Sequence, residues 1–150
     1  LFAGELDGVF LPHPAPSIIE LKGMGKHAVA SGEMWPNHAC CSLVATDRLI
    51  KEQPELVEQI IKTHIKATDY INAHPEEAAQ IYAKKTKANL TEIEHSIENW
   101  DGEWVSDPNI QISSTVEYAR IDYQMKYTKK ELTAQDLFDT SLYEKVKGAE

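Results

Sequence analysis

The residues best suited to chemistry lie together at positions 34–45, which read MWPNHACCSLVA. An aromatic ring, an amide, an imidazole and two adjacent thiols precede an apolar stretch, and this set would suit a metal site, a redox pair, a catalytic cysteine or one wall of a ligand pocket. Trp35, Asn37 and His38 could pack against and orient a polar ligand. They could equally form a turn whose tryptophan covers the edge of the core, and the residues alone do not separate the two interpretations.

The two cysteines, Cys40 and Cys41, are predicted to be small buried packing residues, because free cysteine is among the residue types most often buried. Adjacent cysteines also rarely form an unstrained disulfide. A zinc site needs four converging ligands, and only His38 and Cys40 have suitably near spacing. The sequence therefore predicts no catalytic residue, no metal site and no cofactor.

A second candidate site is the loop LPHPAPS, which follows a short apolar stretch and precedes a predicted helix. In open α/β sheets, ligands bind beyond the carboxyl ends of strands, where a following helix presents free N–H groups. His13 could donate a hydrogen bond to an anionic or polar ligand there, and Ser17 could cap the helix or donate as well. An anion bound by His13 would bind more tightly as the pH falls through about 6.5. The alternative is that Pro-His-Pro is only a rigid surface turn.

The composition limits the classes of function. A chain of 150 residues, 42% hydrophobic and 26% charged, predicts one soluble domain with a real core. The formal net charge of −9 argues against nucleic acid or an anionic membrane as the main partner, since both favour basic patches. No apolar run approaches the roughly 18 to 20 residues that cross a bilayer.

The elements that must position these residues are predicted as strands first and helices afterwards. Short apolar runs bounded by Gly and Pro predict strands at residues 8–11, 26–30 and 40–45, with a helix at 17–22 between the first two.

From residue 47 onward the pattern is helical. Helices are predicted at 47–53 and 54–73, where Pro54 occupies the first turn and apolar residues recur at helical spacing, and another is predicted from Pro75. Ser/Thr-x-x-acid spacing marks three further helix starts, at Thr91 with Glu94, Ser114 with Glu117, and Thr133 with Asp136, the last opening a short terminal helix.

The chain resembles the nitrate/sulfonate/taurine class of ABC-transporter substrate-binding proteins over nearly its whole length. The most specific matching pieces are GELDG, the proline loop with its following helix, the WPNH turn before a predicted strand, and the helical pair PELV with HPEEA. Members of that class usually have Glu or Asp before the loop proline, whereas this chain has His13. The difference favours an anion or a hydrogen-bond acceptor over a cation as the solute.

The resemblance implies an α/β fold, the helix-rich C-terminal half of a type II periplasmic-binding-protein-like two-lobed structure. Residues 1–36 would end the second lobe, 37–46 would form a hinge strand, and 47–150 would complete the first lobe. The implied function is capture of a small anionic or polar solute such as nitrate, a sulfonate or taurine, with His13, Ser17, Trp35, Asn37 and His38 as ligand-binding residues.

The resemblance also implies partners and a location. The protein would deliver its solute to an ABC transporter permease on the extracytoplasmic side of the membrane. Contact with the membrane would come only through that transporter or through a lipid anchor outside this chain, and nucleic acid is not an expected partner. If the chain is one half of a longer protein, its uncovered apolar surface could promote self-association.

An enzyme branch of the same superfamily, the thiamine pyrimidine synthases, provides the alternative. These enzymes carry a CCCFC-like cysteine cluster at the position of HACCS, and their ATDY segment matches residues 67–70. This chain has only Cys40 and Cys41, with Ala39, Ser42 and Leu43 at other cluster positions. Iron-dependent synthase chemistry is therefore the second interpretation, after solute binding.

Overall fold

The computed structural model describes residues 1, 3–38 and 40–149. Its described residues form nine α-helices and one 3-10 helix. In chain order the helices are α1 Ala15–Leu21, α2 Ser31–Met34, α3 Asp47–Glu52, α4 Pro54–Ala73, α5 Pro75–Thr86, α6 Leu90–Asn99, the 3-10 helix Pro108–Gln111, α7 Ile112–Gln124, α8 Ala134–Leu137 and α9 Ser141–Lys147.

The helices group into two compact units, each built from two separate stretches of chain. Unit 1 contains Leu1–Pro36 and Asp69–Trp104, and unit 2 contains Asn37–Thr68 and Val105–Glu150. The long helix α4 crosses the division, because its residues to Thr68 belong to unit 2 and those from Asp69 belong to unit 1.

In unit 1, helix α6 packs against both α1 and α5. The side chain of Asn89 accepts a hydrogen bond from the Glu92 N–H at 3.3 Å and so caps the first turn of α6. Ile93 of α6 is buried, as are Ala79 and Ala83 of α5. These two alanines lie one turn apart, and their small size lets another helix approach closely.

In unit 2, the core forms around helix α4. Val57, Ile61 and Ile65 recur at helical spacing and are buried together with Val146 of α9. Four partly buried apolar residues pack against them, Leu49, Ile50, Leu142 and Tyr143. The spacing of the α4 residues is what places one face of the helix inside the unit.

Several predicted helices are confirmed with their boundaries. Helix α4 covers the predicted residues 54–73, α5 begins at Pro75, and α3 ends one residue before the predicted limit. At α8, the Asp136 carboxylate accepts a hydrogen bond from the Thr133 N–H, as the predicted capping box requires, and a second one from the Thr133 hydroxyl.

The other two capping boxes were wrong. Helix α6 is capped by Asn89 and not by Thr91, and Ser114 lies inside α7, where its hydroxyl donates to the Gln111 carbonyl. The predicted terminal helix is interrupted, giving α8 and α9. Asp139 accepts from the N–H and hydroxyl of Ser141 at the start of α9, which stabilises a second helix start inside the predicted element.

The predicted strands at 8–11, 26–30 and 40–45 are wrong for this structure, since no strand occurs among the described residues. All three segments are irregular and mostly exposed. A strand is stable only with a hydrogen-bonded partner, and these segments have none within the described chain. The fold is helix-rich, and the two-lobed assignment of 1–36, 37–46 and 47–150 stays a prediction.

None of the helices in the described ranges combines the length and apolar character that a bilayer crossing requires.

Candidate functional site

The clearest cluster of polar side chains in unit 1 joins the loop before α1 to helix α6. His13 Nδ1 lies 2.9 Å from the Ser96 Oγ and 3.4 Å from the Ser17 Oγ. Ser17 and Ser96 are buried, with 1% and 6% of their surface exposed, and His13 is partly exposed. One imidazole nitrogen therefore connects two buried hydroxyls from two packed helices.

The local sequence explains how this cluster forms. Helix α1 begins directly after Pro14, and its first residues place Ser17 four positions after His13, one turn along the chain. Ser17 was predicted as a cap or a ligand donor, but the helix has no side-chain cap, and Ser17 is its third residue. The Ser17 hydroxyl contacts the His13 ring instead.

Charged and titratable groups surround the cluster. Glu20 on α1 accepts the His27 N–H through Oε1 at 2.8 Å, and its Oε2 lies 4.0 Å from the His95 Nε2. Burial lowers the pKa of the His13 imidazole, and His27 and His95 lower it further, whereas Asp101 and Glu20 raise it. Because the net direction is downward, His13 gains its proton below its usual range near 6.5 and is neutral at pH 7.

The remaining predicted site residues follow α2. Trp35 is partly buried in unit 1, whereas Asn37 and His38 belong to unit 2. Asn37 has a φ of 59°, a left-handed conformation that asparagine tolerates better than most residues. Of the five predicted ligand-binding residues, His13 and Ser17 are joined by a hydrogen bond.

The cysteines were predicted to be buried, and this was wrong, since Cys40 and Cys41 are both exposed free thiols. Their segment forms no strand, so no sheet covers them. The Cys41 Sγ donates to the Cys40 Sγ at 3.8 Å. Partial desolvation and this contact raise the pKa of the Cys40 thiol, which disfavours the thiolate that nucleophiles and metal ligands require.

Two further observations concern places that could hold a metal ion or a ligand. Within the described ranges, no group of three or more His, Cys, Asp or Glu side chains has an arrangement that could hold a metal ion. An open groove lies at the C-terminal end of α1, lined by Glu20, Gly23, Met24, Gly25 and Lys26. His13 does not line this groove, but Glu20 connects the groove to the charged surroundings of the cluster.

Ser96 is the member of the cluster that the sequence did not reveal. It lies 83 positions from His13, and it is a serine in the middle of an amphipathic helix. Such a residue carries no local signal for a ligand site, because only the packing of α6 against α1 brings it to the imidazole.

Comparison with known protein families gives a match to part of the chain. The model of the NMT1-like family matches residues 1–86, more than half of the chain. The matched segment contains His13 and the residues 35–38, and it ends before Ser96. No curated protein and no solved structure matches the chain.

Proposed function

The chain belongs to the NMT1-like family, part of the nitrate/sulfonate/taurine binding-protein family, and from this membership we propose that it is the solute-binding component of an ABC importer. Its solute is a small anionic or polar molecule, held between the two lobes of a type II binding-protein fold to which this chain contributes. The family match over residues 1–86 is the observation that carries the proposal.

Within this proposal, His13 contacts the solute. Its Nδ1 is occupied by two serine hydroxyls, whereas no hydrogen bond to Nε2 occurs among the described residues. A fixed ring with one available nitrogen is suited to orienting a polar group. Ser17, Trp35, Asn37 and His38 are the other proposed ligand-binding residues, and the last three could offer an aromatic face, an amide and an imidazole.

The proposed partner is the permease of the transporter, and the proposed location is extracytoplasmic. Contact with the membrane then comes through the transporter or a lipid anchor outside the chain. The surplus of acidic residues, 24 against 15 basic ones, fits a protein that does not bind an anionic lipid surface directly.

Native mass spectrometry of the purified protein tests the proposal, because a co-purifying solute would appear as a mass above that of the chain. Nitrate, taurine and short alkylsulfonates are then added singly in thermal melts. A solute that binds the folded state raises the melting temperature in a concentration-dependent manner. Absence of both a retained mass and any shift would contradict solute binding.

The solute found in this way is titrated into His13→Ala, with His64→Ala as the matched control, since His64 is exposed on α4. Loss of a hydrogen bond to the solute should weaken binding by roughly 10- to 100-fold. An affinity within about twofold of the wild type would remove His13 from the site.

A further inference from the structure

Ser17 and Ser96 are buried serines whose hydroxyls share one hydrogen-bond partner. Among the described residues, that partner is the His13 Nδ1, at 3.4 Å from the Ser17 Oγ and 2.9 Å from the Ser96 Oγ. A buried hydroxyl proton without an acceptor is unfavourable, because its hydration is lost and not replaced. Both hydroxyls therefore depend on the state of this nitrogen.

The arrangement selects one tautomer of His13. A neutral imidazole has one N–H donor and one acceptor nitrogen. If Nδ1 carried the proton, it could only donate, and neither hydroxyl proton would have an acceptor among the described residues. If Nδ1 is unprotonated, Ser96 donates to it at the shorter distance, and Ser17 makes a longer contact. The proton of the ring then lies on Nε2.

The Nε2 atom of His13 is not fully buried. It makes no hydrogen bond within the described residues, whereas every fully buried side-chain nitrogen or oxygen there has a partner. Its N–H is therefore the donor that this ring still offers.

We infer that Ser17 and Ser96 are positioning residues that hold His13 in the tautomer whose Nε2–H is the donor that the ring offers to a hydrogen-bond acceptor of a ligand. The assignment of a ligand to this donor rests on the proposed solute-binding function. The assignment of the tautomer does not.

The tautomer is tested by NMR of the ring nitrogens in protein labelled at histidine, with His13 assigned by the loss of its signals in His13→Gln. At about pH 7.5, above the usual histidine pKa, the wild type should show an unprotonated Nδ1 and a protonated Nε2. In Ser96→Ala the Nδ1–H form should become populated, and Ser17→Ala should give a smaller change. Ser114→Ala is the matched control, because Ser114 is also a buried helical serine but contacts Gln111.

A wild-type spectrum with the proton on Nδ1 would overturn the inference without any variant. So would a Ser96→Ala spectrum identical to that of Ser114→Ala. Neither result requires a solute, so both leave the proposed function standing. Conversely, a wild-type affinity in His13→Ala would remove His13 from the solute site and leave the tautomer assignment standing.

Discussion

The Nδ1 of His13 and the Oγ of Ser96 lie 2.9 Å apart, although 83 positions separate the two residues in the chain. This contact links the loop before α1 to the face of α6. It holds the His13 ring, which we propose as a contact of the solute. Burial of the ring, which lowers the pKa of His13, makes stability sensitive to the protonation of this histidine.

The lowered pKa of His13 predicts that the protein is less stable in mild acid. The unfolded chain takes up a proton near pH 6.5, whereas the folded chain does so only at lower pH. The unfolded state therefore binds more protons as the pH falls below about 6.5, and the free energy of unfolding decreases until the folded pKa is passed.

Urea denaturation at several values between about pH 7.5 and about pH 5 measures this effect. In His13→Gln the decrease should be smaller than in the wild type, and in His64→Gln, which changes an exposed histidine of α4, it should be unchanged. Equal slopes in all three proteins would show that His13 does not cause the acid sensitivity.

Truncation of Val146 should destabilise unit 2. Val146 is 1% exposed and packs with Val57, Ile61 and Ile65, so Val146→Ala should lower the free energy of unfolding by about 2 kcal/mol. Val44 offers the same chemical change at 85% exposure, and Val44→Ala should stay within about 0.5 kcal/mol of the wild type. Similar losses in both variants would contradict the position of the core.

Both thiols should react in the folded protein. Cys40 and Cys41 are exposed, so DTNB should titrate two thiols without denaturant. The raised pKa of Cys40 keeps its thiolate fraction low, so this thiol should react more slowly than an ordinary exposed thiol. Cys41→Ser and Cys40→Ser should each leave one reactive thiol. A requirement for urea before either thiol reacts would restore the prediction that these cysteines are buried.

The contact between Lys145 and Glu58 should contribute little to stability, although the hydrogen bond to Glu58 raises the pKa of the Lys145 ammonium. The Lys145 side chain is 66% exposed, and water and salt screen exposed ion pairs, so their contribution to stability is small. Lys145→Ala should lower the melting temperature only slightly at low salt, and the difference from the wild type should shrink at high salt. A large loss that does not depend on salt would indicate that the pair has a structural role.

The sequence predicted the helices well and the strands poorly, for a physical reason. The periodicity of Val57, Ile61 and Ile65 and the position of Pro54 determine α4 locally, because helical hydrogen bonds form within one segment. Strands at 8–11 or 40–45 depend on a distant partner, which no local pattern supplies. A predicted helix cap was wrong where another residue caps the helix start, as Asn89 does at α6.

The candidate site was predictable only in part. His13 and Ser17 are four positions apart, so helical geometry alone could bring them together. The position of His13 between two prolines, in a loop before a predicted helix, was the sequence feature that indicated a site. Ser96 could not be found in this way, because its role depends on the packing of α6 against α1. The tautomer of His13, and hence the kind of group it offers a ligand, was therefore hidden from the sequence.

The interleaving of the two units limits how the protein can be shortened. Unit 1 is assembled from residues on both sides of a long stretch that belongs to unit 2. The family match stops at residue 86, within the second half of unit 1. A protein trimmed to its recognisable family segment would keep the histidine and lose the serine that orients it, so gene fragments designed from the family boundary would be poor reagents for finding the solute.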